Sequence, residues 1–216
     1  IVISYDKDGK TWAGNDIHIP SSFFEEIKKI DTKSKISFYA DSFHIENTPP
    51  MSLETRQRNM LAEKLGKGGW HIQIDSDEYP VDFKELTSFL RKHKYLLKNP
   101  EKTPVNFFVK LITLFKQTEE GFFVITPYID PCLLITNQPN YIKARFPKNN
   151  FHIVLDSYII HQSWARGEEE ILKKIANWGH KNDFDTKKFF DTWKNLNEEN
   201  CASLQNFHPL NPTDWK

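Results

Sequence analysis

Three short β-prone runs, each closing on an aspartate and separated from the next by a stretch of helical patterning, constrain this chain more than any other feature. They are Ile1-Val2-Ile3-Ser4-Tyr5 before Asp6, Ile36-Ser37-Phe38-Tyr39-Ala40 before Asp41, and Trp70-His71-Ile72-Gln73-Ile74 before Asp75. Between the first two, Ser22 and Glu25 have capping-box spacing, and Phe23, Phe24, Ile27 and Ile30 form one apolar face. Between the second and third, the Pro49-Pro50 break precedes Ser52 as a helix cap, with Leu53, Met60 and Leu61 on the inner face and Gly66 as a stop. Strands alternating with helices imply βαβ units and a mostly parallel sheet, whose ligand site lies beyond the carboxyl ends of the strands. Asp6, Asp41 and Asp75 all fall at that end.

After residue 80 the texture changes. A short helix is expected over residues 83 to 90, and then runs 106 to 115 and 122 to 126 flank Glu119-Glu120-Gly121, a hairpin signature. Further short strands are expected at 133 to 136, 141 to 146 and 151 to 160, so the middle of the chain reads as antiparallel. Two amphipathic helices follow, one over 168 to 178 with Ile171, Leu172, Ile175 and Trp178 inward, the other over 186 to 196 with Phe189, Phe190 and Trp193 inward. No Gly/Ser-rich or Pro-rich linker divides the sequence, which predicts one α/β domain over residues 1 to 216.

Charge narrows the partners. Twenty-nine basic and twenty-nine acidic residues cancel, which removes the broad electrostatic footprint of a protein whose main partner is a nucleic acid. A small anion held by a local Arg/Lys cluster or a metal is compatible with that balance. Hydrophobic residues reach only 38% while aromatics reach 14%, so much of the buried area must come from Phe, Trp and Tyr. Cys132 and Cys201 lack metal-ligand spacing, which speaks against a disulfide framework and fits a reducing cytoplasm. No apolar run approaches the roughly 20 residues of a spanning helix, so no transmembrane segment is expected. The chain opens at Ile1, without Met and inside an apolar run, from which a preceding segment is expected.

Asp75-Ser76-Asp77-Glu78 sets three carboxylates within one turn directly after a strand. Mg²⁺ and Mn²⁺ prefer such oxygen ligands and bridge substrate diphosphates, neutralising the charge that develops as a leaving group departs. An isolated acidic turn is as readily a solvated surface feature; the two other strand-end acids in line with it favour a site.

The stretch Glu54-Thr55-Arg56-Gln57-Arg58-Asn59, followed by a helix and then Gly69-Trp70-His71-Ile72-Gln73-Ile74-Asp75-Ser76-Asp77-Glu78-Tyr79, resembles the nucleotide-sugar glycosyltransferases of the A-type fold, particularly the family-2-like bacterial enzymes with a DxDE-type motif. The resemblance implies a single Rossmann-like GT-A domain with a mixed, mainly parallel sheet and a small antiparallel region, lacking its first strand and helix. Residues 1 to 80 would be the nucleotide-binding part, 81 to 165 the acceptor side and 166 to 216 the C-terminal helices. It implies Asp75 and Asp77 as metal ligands, Asp6 or Asp8 against the nucleotide base, and Arg58-Asn59 as donor contacts. Downstream, His161-Gln162-Ser163-Trp164-Ala165-Arg166 and the Lys173-bearing helix look like the His-x-x-Ser segment of the same group. A neutral His161 would then be a third metal ligand, Arg166 and Lys173 would meet the diphosphate, and Trp164 would stack on a sugar ring.

The expected reaction is transfer from a UDP- or GDP-sugar to a saccharide acceptor with Mn²⁺ or Mg²⁺, with inversion at the anomeric carbon. The setting it implies is surface-polysaccharide assembly in the cytoplasm or at the inner face of the membrane, as a peripheral protein. Inversion needs a carboxylate to take the acceptor proton, and Glu78 and Glu170 are the candidates. Two other functions use the same residue types: metal-dependent phosphoester hydrolysis, as in a nuclease, and non-catalytic carbohydrate binding on the same fold.

Overall fold

The structure is a computed structural model that describes residues 1–126, 130–148, 151–211 and 213–216. Strand β1 (Val2–Asp6) and strand β2 (Ser37–Asp41) pair in parallel with Asp6 opposite Asp41, joined by helix α1 (Ser21–Ile30). Phe23 and Phe24 of α1 seat edge-on against Tyr5 and Phe38, at ring separations of 5.0 to 6.5 Å. The expected capping box does not form. The N-cap is Pro20 in an extended conformation, so Ser22 already lies inside the helix and no side chain caps it.

Helix α2 (Pro50–Leu65) likewise begins before its expected cap. Pro50 takes a first-turn position, where a missing N–H costs nothing, and Ser52 is interior. Its buried residues are Leu53, Arg58 and Ala62, whereas Met60 and Leu61 are only partly covered. An arginine on the inward face is the first sign that α2 covers a polar centre.

The remaining strands are β3 (His71–Ile72), β4 (Glu78–Pro80), β5 (Val105–Gln117), β6 (Phe122–Val124), β7 (Pro131–Thr136), β8 (Tyr141–Lys143), β9 (Phe146–Pro147) and β10 (Phe151–His161). Their main sheet runs β3-β7-β5-β10-β4, with β6 on the far half of β5 and β8-β9 as a separate hairpin. The architecture is therefore α/β with a mixed sheet. The expectation of a mainly parallel sheet is corrected: only β1-β2 and β5-β10 are parallel among the described pairings, and β3 joins β7 antiparallel instead of extending the β1-β2 ladder. The third predicted strand is also shorter than its sequence run, because the chain leaves the ladder after Gln73 N bonds Leu134 O and turns back at Asp75.

Two apolar cores lie along β5. Helix α3 (Phe83–Lys92) packs Leu86 and Leu90 on Phe107, Val109, Leu134, Ile135 and Ile159. Helices α4 (Glu168–Asn177) and α5 (Thr186–Asn195) bury Ile171, Ile175, Phe189 and Trp193 against Phe115, Ile125 and Trp164. Leu172, expected inward, is 47% exposed. Among the described residues no helix is long and apolar enough to cross a membrane.

Candidate functional site

The acidic segment forms a reciprocally tied turn. Glu78 N donates to Asp75 O at 3.0 Å, and Asp75 N donates to Glu78 Oε2 at 3.0 Å. Directly beyond the turn, β4 pairs antiparallel with the end of β10 so that His161 sits opposite Glu78, and Gln162 N bonds Asp77 O at 2.9 Å. That register delivers the segment after β10 to Asp77, and β10 is in turn held parallel to β5 through His161 opposite Thr113.

Asp77 is the anion of a basic cluster. Its Oδ2 accepts from Arg166 Nη2 at 2.8 Å and from Lys174 Nζ at 3.3 Å, with His161 Nε2 3.6 Å away. Arg166 Nε and Lys174 Nζ also share the carbonyl of Ser163, whose backbone turns through a left-handed conformation (φ 26°). Burial opposes the Asp77 charge, but the adjacent His161 and the fields of Lys174 and Arg166 hold its carboxyl well below the usual range. Burial, with Arg166 nearby, draws the Lys174 ammonium below its ordinary value despite Asp77.

Asp75 faces a different pair. Arg58 Nη2 bonds both its oxygens, at 3.0 and 3.1 Å, and Arg145 Nη2 bonds Oδ2 at 3.1 Å. Burial raises the Asp75 carboxyl, and the Arg145 and Arg58 charges outweigh it, leaving the value lowered. Arg58 also holds Glu54 Oε1 at 2.7 Å and Gln73 Oε1 at 3.1 Å. Arg145 grips the buried Glu78 in a two-point pair, Nη1 to Oε2 at 2.9 Å and Nη2 to Oε1 at 2.5 Å. Burial works against the Arg145 charge, but the Glu78 bond and the Asp75 field raise its value above the ordinary one.

The residues expected at the site divide. Asp75, Asp77, Arg58, His161 and Arg166 do converge on one turn. Lys173 does not: it is exposed, and its neighbour Lys174 makes the contact. Arg58, expected as a donor contact, is buried with its own donors already engaged by Glu54, Gln73 and Asp75. Trp164 is 2% exposed and packs edge-on against Trp178 and Phe189, a core residue and not a face for a sugar ring.

Asp6 organises backbone. Its carboxylate accepts from the N–H groups of Asp8, Lys10, Phe43 and His44, stitching the loop after β1 to the segment after β2. Asp8 accepts from Ser42 Oγ. Asn59 reads the Tyr141 backbone in both directions, at 2.9 and 3.0 Å, and so pins β8 to α2. Glu170 is exposed and accepts from Gly167 N at the start of α4. Arg145 was not found from the sequence; an arginine inside an expected strand run carries no local signal, and it reaches Glu78 from the loop after β8, which Asn59 ties to α2.

The paired charges sort into two halves. Glu54, Asp75 and Glu78 face Arg58 and Arg145, one acid in excess, whereas Asp77 faces Arg166 and Lys174, one base in excess. Among the described residues no group of three His, Cys, Asp or Glu side chains is placed to hold a metal alone. Both Asp75 oxygens are bonded by Arg58 and Arg145 and Asp77 Oδ2 by Arg166 and Lys174, so a hard cation at this turn would need one of these carboxylates released from its pairs and the rest of its shell from phosphate and water. Neither models of known protein families nor curated protein sequences match the chain.

Proposed function

We propose that the chain transfers a sugar from a UDP- or GDP-sugar to a saccharide acceptor, with inversion, at the turn Asp75 to Glu78. The observation that carries this reading is the juxtaposition, on one four-residue turn, of an acid-rich half and a base-rich half. A nucleoside diphosphate with its cation needs both signs side by side. Arg166 and Lys174 would bind the diphosphate oxygens, Arg166 through its planar fork and Lys174 as a point charge. Asp77 and Asp75 would hold Mn²⁺ or Mg²⁺, which supplies neutralisation of the leaving diphosphate.

Glu78 is an unsuitable base, since its carboxylate is buried and gripped by Arg145 at both oxygens. Glu170 is the candidate with an accessible carboxylate. A cytoplasmic setting at the inner face of a membrane goes with this reading, and the free thiols Cys132 and Cys201 suit it.

Calorimetry with UDP and GDP, with and without Mn²⁺, tests the proposal. Micromolar, Mn²⁺-enhanced binding to the native protein whose dependence on the metal is lost in Asp77→Ala is the expected result. Absence of binding to either nucleotide, together with metal-dependent cleavage of a phosphoester, would replace the transferase by a phosphohydrolase.

A further inference from the structure

Arg166, Lys174 and His161 converge on a single oxygen of Asp77. A one-to-one ion pair would satisfy that carboxylate; here a guanidinium, an amine and an imidazole surround it, and their side chains keep between 21% and 26% of their surface exposed. The Asp75 half differs in burial. Its cations are the more deeply covered, Arg58 and Arg145 being 10% and 16% exposed and Glu78 only 3%, although the Asp75 side chain itself keeps 43% of its surface against 17% for Asp77. Arg166 and Lys174 are also held from behind by the Ser163 carbonyl, which fixes the two cationic heads independently of Asp77.

We infer that Arg166, Lys174 and His161 form an anion site for a diphosphate group in which Asp77 is the resident counter-ion, displaced when the diphosphate enters. Two cations fixed by a backbone carbonyl offer more positive charge than one carboxylate cancels, and a diphosphate brings at least two negative charges to the same donors. Displacement frees Asp77 to act as an oxygen ligand, which couples anion entry to cation entry. The inference rests on reading this turn as the donor-diphosphate site, but its central claim concerns anion binding without metal.

The test is calorimetric titration of the full chain with inorganic pyrophosphate in excess EDTA. Asp77→Asn should bind pyrophosphate at least fivefold more tightly than the native protein, because the competing carboxylate is gone. Equal or weaker binding by Asp77→Asn overturns the inference. Should that variant not fold, Arg166→Gln and Lys174→Gln in the native background decide: each should weaken metal-free pyrophosphate binding at least fivefold, and native-like binding in both overturns it. A parallel titration with UDP separates the sources of the anion. UDP tighter than pyrophosphate assigns the site to a nucleoside diphosphate, equal affinity to the diphosphate group alone, and both outcomes uphold it. If the Asp77→Asn gain is seen while UDP and GDP fail to bind with Mn²⁺, the anion site stands and the sugar-transfer reading falls.

Discussion

Lys174 Nζ stands 3.3 Å from Asp77 Oδ2, ninety-seven residues away along the chain. The contact depends on α4 starting directly after the Ser163 turn, with its buried residues Ile171 and Ile175 fixing the helix rotation. Lys174 is thereby turned toward the acidic turn and Lys173 toward solvent.

This rotation separates two adjacent lysines in space. Lys174→Gln is expected to weaken Mn²⁺-dependent UDP or GDP binding by about tenfold, the scale of one charge-assisted contact of about 1.5 kcal/mol. Lys173→Gln should leave it within about twofold. Calorimetry on the two variants checks the assignment, and equal losses would remove Lys174 from the site.

The grip of Arg145 on Glu78 is expected to matter for stability more than for binding. Arg145→Met strands a carboxylate that is 3% exposed, a loss of about 3–5 kcal/mol. Arg145→Met combined with Glu78→Leu should recover most of it, since apolar replacement of both partners removes the unpaired charge. Urea unfolding of the single and double variants measures both, and a double variant no better than the single one would contradict the pairing.

Acid should weaken the fold through the same turn. The folded-state carboxyls of Asp77 and Asp75 lie below their ordinary values. A group lowered on folding contributes stability that is fully present above its unfolded value, about 3.9, and is lost as pH falls toward the folded value. The stability difference between native protein and Asp77→Asn should therefore be constant from pH 7 to about pH 5 and shrink below about pH 4. Denaturant titrations across that range follow it, and a difference independent of pH would mean that Asp77 gains nothing from its cations.

Trp164 separates core from ligand. Trp164→Ala should cost about 3–5 kcal/mol, as expected for emptying a buried ring position, and should loosen α4 and α5 with it. Trp164→Phe, which keeps a ring against Trp178 and Phe189, should lose less and leave nucleotide binding unchanged. Thermal unfolding with a UDP titration distinguishes this from a sugar-stacking role, in which Trp164→Ala would remain stable and lose only acceptor binding.

Local signals in the sequence carried well where the structure is local. The strands ending at Asp6 and Asp41, the hairpin around Gly121 and the two closing helices follow from alternation, turn residues and helical period, which act over a few neighbouring residues. The caps failed for an equally local reason, since prolines, Pro20 and Pro49, take the N-cap positions ahead of the serines in both early helices.

By itself, then, the sequence determined the element types, the acidic turn after the third strand and the company of Arg58, His161 and Arg166. Only the tertiary structure decided that β3 joins β7, that Arg145 holds Glu78, that Trp164 is core and that Lys174 replaces Lys173. The physical reason is that each of these depends on long-range register. The pairing of His161 with Glu78 and the Asn59 clamp on Tyr141 set which distant groups meet. A helix rotates about 100° per residue, so packing of its apolar face, and not the identity of its lysines, settles which of two neighbours reaches the turn.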